Sequence, residues 1–141
     1  MTKQIFNLSK QYTPMENAFK EKADQLFTQI ITDARWNIND EMLFNVFGFT
    51  YYGYCFALGN AIHFLDPSDI NQYVEDKLIS LGAGKKYVTG MIEYAASTFT
   101  EQQDDVYAQL VDIGFSHIAS DGWTTLIDSI FTNAQALASK A

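Results

Sequence analysis

Cysteine and proline are both scarce in this sequence of 141 residues. Cys55 is the only cysteine, so an intrachain disulfide is excluded and a multiple-cysteine zinc site cannot form. The thiol lies in an uncharged stretch, where a free cysteine usually packs as a small hydrophobic group. The N-terminus has no secretory signal pattern, since polar residues interrupt every apolar run. These features predict a reducing, cytoplasmic location.

Motifs for catalysis, metal binding or cofactor binding are also lacking. His63 and His117 are 54 positions apart, and neither has a second ligand at helical spacing, so we expect no metal and no cofactor. The segment 82–86, Gly-Ala-Gly-Lys-Lys, lacks the first glycine and the final Ser/Thr of a phosphate-binding loop. We therefore expect a protein that is not an enzyme, although carboxylate pairs acting as acid and base stay open.

Basic residues are nearly absent from the C-terminal part of the chain. The formal net charge is −8, and residues 87–141 contain Lys140 as their one basic residue against seven acidic residues. Such a field repels nucleic acid and anionic lipid and attracts basic partners. We expect a basic protein partner, with no binding to nucleic acid or membranes.

Period-two alternation between hairpin turns is missing, whereas apolar residues recur at the three-and-four spacing of helices. With 48% hydrophobic and 15% aromatic residues, the chain has ample material for a core. The sequence predicts one all-α domain, a bundle of about six helices, with residues 1–12 as an N-terminal arm or a short extra helix. The predicted helices lie near residues 14–35, 39–65, 67–81, 85–98, 101–118 and 121–139.

Capping residues set these predicted boundaries. Thr13 precedes Pro14 and Glu16 in a capping box, and Thr100 is followed by Glu101 and Gln103 in another. Asp40 and Asp66 are predicted to cap the second and third helices, and Gly82 and Gly122 are predicted stop signals.

The stretch from Leu43 to Leu65 has 23 residues and no charge. Its length would span a bilayer, but it contains asparagine, threonine, histidine and three tyrosines and has no flanking basic cluster. We predict a central buried helix, apolar nearly all round.

One row of this central helix carries small and polar groups that allow close helix approach. Its members are Gly48, Tyr52, Cys55, Gly59 and His63. We expect the polar groups to hydrogen-bond neighbouring helices, as buried polar groups generally must. The alternative is a tyrosine-lined pocket for a small ligand, in a helical ligand-binding or sensory domain.

The fifth predicted helix carries an acidic face. Glu101, Asp105 and Asp112 fall within about 40° of one another at 100° per residue, and no basic residue neutralises them at i±4. We predict an electrostatic docking surface; a face that only keeps the protein soluble is the alternative. The predicted partner-binding residues are Glu101, Asp104, Asp105, Asp112, Asp121 and Asp128.

A small, acidic, helical chain without chemistry of its own resembles bacterial immunity proteins, which block cognate toxins, often nucleases. The helical immunity proteins of nuclease colicins carry an Asp-x-x-Tyr-Tyr-Pro element on their docking surface. Here Tyr51-Tyr52 precede Gly53 in the central helix, so the site residues of that family do not transfer. The resemblance implies a cytoplasmic binding protein that neutralises a toxin-like partner. A phage-encoded inhibitor of host defence would use the same physics.

Overall fold

The computed structural model describes residues 14–140. Within them it has six α-helices and no strand, so the all-α prediction is confirmed. The predicted Thr13 cap and the arm at residues 1–12 lie outside the described residues. The helices are α1 (Pro14–Ile31), α2 (Glu41–Phe56), α3 (Pro67–Ser80), α4 (Lys85–Ser97), α5 (Val106–Ser116) and α6 (Thr124–Lys140).

Helix α2 is the centre of the bundle, as its composition predicts. Twelve of its 16 residues are buried, from Leu43 to Cys55. Helices α3, α4, α5 and α6 pack against it directly, and Phe27 of α1 contacts the rings of Phe47 and Tyr51. A helix that is apolar on all sides is stabilised only when other elements cover every side.

The predicted continuation of α2 to residue 65 is wrong in its geometry. A π-helical segment, Ala57–Ile62, follows α2, and the backbone N–H of Leu65 closes it by donating to the carbonyl of Gly59 at 2.9 Å. Beyond this wider turn the side chains no longer follow one buried face. Phe64 is 75% exposed and has a positive φ of 59°, whereas Leu65 packs against the core.

Helices α2 and α5 cross with their backbones in contact at two glycines. A Cβ on Gly53 would lie 1.9 Å from the carbonyl oxygen of Val111, and a Cβ on Gly114 would lie 1.9 Å from that of Thr50. A Cα hydrogen occupies each of these directions and faces the carbonyl, a weak C–H···O contact. The predicted close approach at Gly48 and Gly59 is also present, against side chains of α4 and α3.

The predicted start of the fifth helix at residue 101 is wrong. Helix α5 begins at Val106, because Asp105 is the N-cap and its Oδ1 accepts from the backbone N–H of Ala108 at 2.9 Å. The backbone N–H of Glu101 instead donates to the carbonyl of Ser97 at 2.8 Å, within the turn that ends α4. Residues 101–104 are polar or charged and offer no apolar side chain for the core, so no helical face forms there.

The predicted end of the first helix at residue 35 is also wrong, because α1 ends at Ile31. Met15 and Ala18 are exposed, although they stand at helical spacing to buried residues of α1. Both lie in the first turn and a half of α1, before Phe19 reaches the core. Apolar spacing marks a helix face but does not show where the neighbouring elements stop covering it.

The N-cap of α2 provides a matched stability test. The side chain of Asp40 accepts from the backbone N–H of Leu43 at 3.0 Å, whereas Asp66 caps α3 without a side-chain hydrogen bond. We expect Asp40→Ala to lower the free energy of unfolding by about 1 kcal/mol, and Asp66→Ala by a few tenths. Urea denaturation of both variants measures this; equal losses would contradict the assignment.

Candidate partner-binding groove

The six acidic residues predicted to bind a partner are all exposed, but they do not share one helix face. The shift in the start of α5 places Glu101 and Asp104 in the α4–α5 connection and Asp105 at the cap. Asp112 lies on α5, Asp121 precedes α6 and Asp128 lies on α6. The predicted single acidic face on a continuous helix 101–118 is therefore wrong, and the acidic residues lie at several separate positions.

Asp128 differs from the other five because its charge is already paired. Arg35 Nη2 lies 3.1 Å from Asp128 Oδ1, and the same guanidinium binds both oxygens of Asp33 at 2.9 Å. The hydrogen bonds from Arg35 lower the pKa of Asp33 to about 2. Within residues 14–140, the five other predicted acids form no ion pair. We therefore leave Asp128 out of the candidate site.

Asp105 lies at the rim of a cavity of about 350 Å³ between α2, α4 and α5. We call this cavity the tyrosine groove. Three of its lining residues are tyrosines, and no lysine or arginine is among them. The lining residues are Asn45, Phe49, Tyr87, Gly90, Met91, Tyr94, Asp105 and Tyr107.

The rings in the tyrosine groove form a corner. Phe49 is buried at the bottom, and its ring centroid lies 4.8 Å from that of Tyr107. The ring of Tyr94 stands nearly perpendicular to both, at interplanar angles of 87° and 86°. Tyr107 is 37% exposed, so part of its ring is open to a partner. Aromatic faces carry negative charge density and attract cations.

The carboxylate of Asp105 is fixed in orientation by donors on two elements. Oδ1 accepts from the N–H of Ala108 at 2.9 Å, and Oδ2 accepts from the hydroxyl of Tyr94. The Tyr94 hydroxyl, followed by the Ala108 N–H, lowers the pKa of Asp105 below its ordinary value. The same contact raises the pKa of Tyr94. The rim of the groove is thus anionic at neutral pH.

Tyr87 connects the tyrosine groove to a second cavity of about 410 Å³, because its side chain lines both. Its hydroxyl donates to Asn45 Oδ1, and the residue is 48% exposed. The second cavity has an apolar wall that includes Ile38 and Phe44. Glu41 also lines the second cavity, and Lys85 and Lys86 precede Tyr87 on α4, so this end of the surface carries charges of both signs.

Two further predicted residues, Asp104 and Asp112, line one cavity of about 530 Å³. We call it the Phe99 cavity. Phe99 stacks on Phe56 with a centroid distance of 4.2 Å and is partly exposed. Asp104 and Asp105 are adjacent in sequence, so the Phe99 cavity and the tyrosine groove meet at the start of α5. The structure thus brings Asp104 and Asp105 to this end of the helix, and Asp112 lines the same cavity as Asp104 from further along α5.

The alternative pocket beside Tyr52 and Cys55 is filled by protein. Both side chains are fully buried, and the space that a Cβ on Gly59 would need is occupied by Ile70 and Phe19. The hydroxyl of Tyr52 donates to Asn71 Oδ1 at 2.5 Å. For Tyr52, this confirms the prediction that the polar groups of this row hydrogen-bond neighbouring helices.

A second hydrogen-bonded chain runs from α2 to the surface. The hydroxyl of Tyr51 donates to the carbonyl of Ala23 at 2.8 Å. It lies 3.0 Å from the hydroxyl of Tyr73. Tyr73 donates to Asp24 Oδ1 at 2.5 Å, and Lys77 Nζ lies 3.1 Å from the same oxygen. Burial raises the pKa of Tyr51 and of Tyr73.

The aromatic residues of the groove were not predicted from the sequence. Tyr87 and Tyr94 are seven positions apart on α4 with Gly90 between them, a spacing that places both rings on one side of a helix with an open surface between. Tyr107 lies in the first turn of α5. The spacing of the two α4 tyrosines is the signal that was available, but only the tertiary structure shows that Tyr107 faces them.

The part of the chain that the structure describes contains no cluster of three or more histidine, cysteine, aspartate or glutamate side chains that could hold a metal ion. None of the helices described is both long enough and apolar enough to cross a bilayer. Comparison with known proteins gives no match to a family model, a curated protein or a solved structure.

Proposed function

We propose that this protein is a cytoplasmic binding protein that neutralises a basic protein partner at the tyrosine groove. One observation carries the proposal: an ionised carboxylate without an ion pair, Asp105, stands beside the open ring of Tyr107. Aromatic anchors in a partly buried groove supply most of the affinity of many interfaces. Carboxylates at the rim speed the encounter with a cationic partner.

The biological form of this activity that we propose is an immunity protein that blocks a cognate toxin, of which nucleases are one class. The support is the acidic balance of residues 87–141 and the all-helical bundle without a metal cluster in its described residues. A phage-encoded inhibitor of a host defence protein has the same physical requirements, and identification of the partner separates the two.

The test starts from capture of partners by the tagged protein in extracts of its native host. The captured protein is then purified, and its association rate and affinity are measured by surface plasmon resonance at low and high salt. We expect a basic partner whose association slows as salt rises, because screening weakens attraction between exposed charges. Capture of acidic proteins only, or an affinity independent of salt, would contradict the proposal.

Two matched variants test whether the partner binds at the tyrosine groove. Asp105→Asn removes the charge but keeps a good N-cap residue, so α5 stays capped. Asp76→Asn makes the same change in net charge on α3, beside a different cavity. We expect about tenfold weaker binding for Asp105→Asn and no change for Asp76→Asn. Equal effects of the two variants would show that only net charge matters.

A small cationic ligand is the second candidate for the same groove. The volume of the tyrosine groove, about 350 Å³, lies at the lower end of the range for ligand pockets, roughly 300–1,000 Å³. A ligand of this kind would raise the thermal unfolding midpoint of the protein in the absence of any protein partner. A thermal shift screen of organic cations measures this directly.

A further inference from the structure

We infer that the tyrosine groove selects an arginine side chain of the partner in preference to lysine. This inference rests on the proposed function, since it names the group by which the basic partner is recognised. It follows from the shape of the binding groups as well as from their charge. A guanidinium is planar and has donors in a fixed fork, whereas an ammonium is a compact point charge.

The aromatic corner suits a flat cation. The rings of Phe49 and Tyr107 are inclined by 36° at a centroid distance of 4.8 Å, and Tyr94 stands at nearly a right angle to both. A guanidinium that lies on an exposed ring face gains stacking in addition to the cation–π attraction. An ammonium gains the cation–π attraction alone, and it loses more hydration energy on leaving water.

The carboxylate of Asp105 is held in orientation by donors on two elements. Oδ1 accepts from the backbone N–H of Ala108 and Oδ2 from the hydroxyl of Tyr94, and the backbone N–H of Tyr107 also interacts with the carboxylate. A carboxylate has about four acceptor positions, and the two hydrogen bonds occupy one on each oxygen. The fork of an arginine matches this pair of acceptors, while a lysine engages them less completely.

The chain itself contains both modes of cation binding, and they differ at the carboxylate. Arg35 binds both oxygens of Asp33, whereas Lys77 contacts one oxygen of Asp24, the same oxygen that accepts from the Tyr73 hydroxyl. Both cations also lie over a ring, Arg35 at 4.4 Å from the centroid of Phe131 and Lys77 at 4.5 Å from that of Phe27. Asp105 has both oxygens oriented, which corresponds to the arginine case.

The experiment uses two probes, N-acetyl-arginine methylamide and N-acetyl-lysine methylamide, at matched ionic strength. Each is titrated into the isotope-labelled full-length protein while the ring signals of Tyr94 and Tyr107 are followed by NMR. We expect saturable shifts of these rings with the arginine probe and at least fivefold weaker binding of the lysine probe. Equal affinities, or shifts confined to other residues, would overturn the inference.

Variants test the roles of the carboxylate and the ring. Asp105→Asn should lower the arginine affinity at least fivefold and remove the preference over lysine, while Asp76→Asn should change neither. Tyr107→Leu keeps an apolar side chain but removes the ring face, and it should weaken both probes. A preference for arginine that persists in Asp105→Asn would overturn the fork argument, provided that both proteins unfold at the same temperature.

The outcome separates this inference from the proposed function. If a basic partner is captured at the groove and conversion of its interface arginines to lysine leaves the affinity unchanged, the inference fails and the proposed function stands. If the arginine probe binds as expected and no basic protein is captured, the proposed function fails, and the selectivity of the groove for a guanidinium stands as a property of the free protein.

Discussion

Replacing Gly53 or Gly114 by alanine is expected to lower the free energy of unfolding by about 3 kcal/mol or more, the upper part of the range for overpacked cores. The added methyl group would lie 1.9 Å from a backbone carbonyl oxygen of the facing helix in each case. A side chain can rotate away from such a clash, but a helix backbone cannot. Helices α2 and α5 must therefore separate, and the contacts along their whole crossing weaken. Urea denaturation followed by circular dichroism measures the loss.

Gly90→Ala is the matched control, because Gly90 lies within α4 and a Cβ there meets no atom within 4 Å. We expect this variant to be more stable than the wild type by roughly 0.5–1 kcal/mol, the helix propensity gained. The double variant Gly53→Ala, Gly114→Ala should lose less than the two single losses added together, since one clash already separates the helices. Single variants that match Gly90→Ala would show that the crossing is looser than described.

The part of the fold that could be predicted is the part that depends on local sequence. The helices, the burial of α2 and the caps at Asp40 and Asp66 depend on signals within a few residues of each other. The sequence alone therefore predicts them. The late start of α5 shows the limit of this reasoning. Two start signals compete here: the pair Thr100 and Gln103, and the cap residue Asp105. The turn at the end of α4 includes Glu101, so the helix starts after Asp105.

The candidate site was predicted in part, and the reason is physical. The concentration of acidic residues around α5 is a property of the sequence; Asp104 and Asp105 line cavities at the start of the helix, and Asp112 lines one of them from further along it. The tyrosine groove requires side chains from three helices, and no local pattern specifies how those helices meet. The pairing of Asp128 with Arg35 joins residues 93 positions apart, so no local sequence pattern predicts it either.

Between pH 8 and pH 11 the protein is expected to lose several kcal/mol of stability, because buried acidic groups stay protonated in the folded state. Burial raises the pKa of the Cys55 thiol above its ordinary value of 9.0, and that of Tyr51 and Tyr52 above 10.0. The unfolded chain releases these protons and the folded chain keeps them, so a rise in pH favours unfolding. Each group costs about 1.4 kcal/mol per pH unit above its own ordinary value.

The variant Cys55→Ala isolates the first step of this loss. Between pH 9 and pH 10 the thiol is the main group of this buried set that ionises on unfolding, since the ordinary value for the tyrosines is 10.0. Removal of the thiol should therefore flatten the dependence of stability on pH in that interval, whatever cost the small cavity adds at every pH. Denaturation midpoints measured at half-unit steps of pH test this. A wild-type stability that stays constant to pH 11, or an unchanged slope in Cys55→Ala, would show that these groups ionise without unfolding.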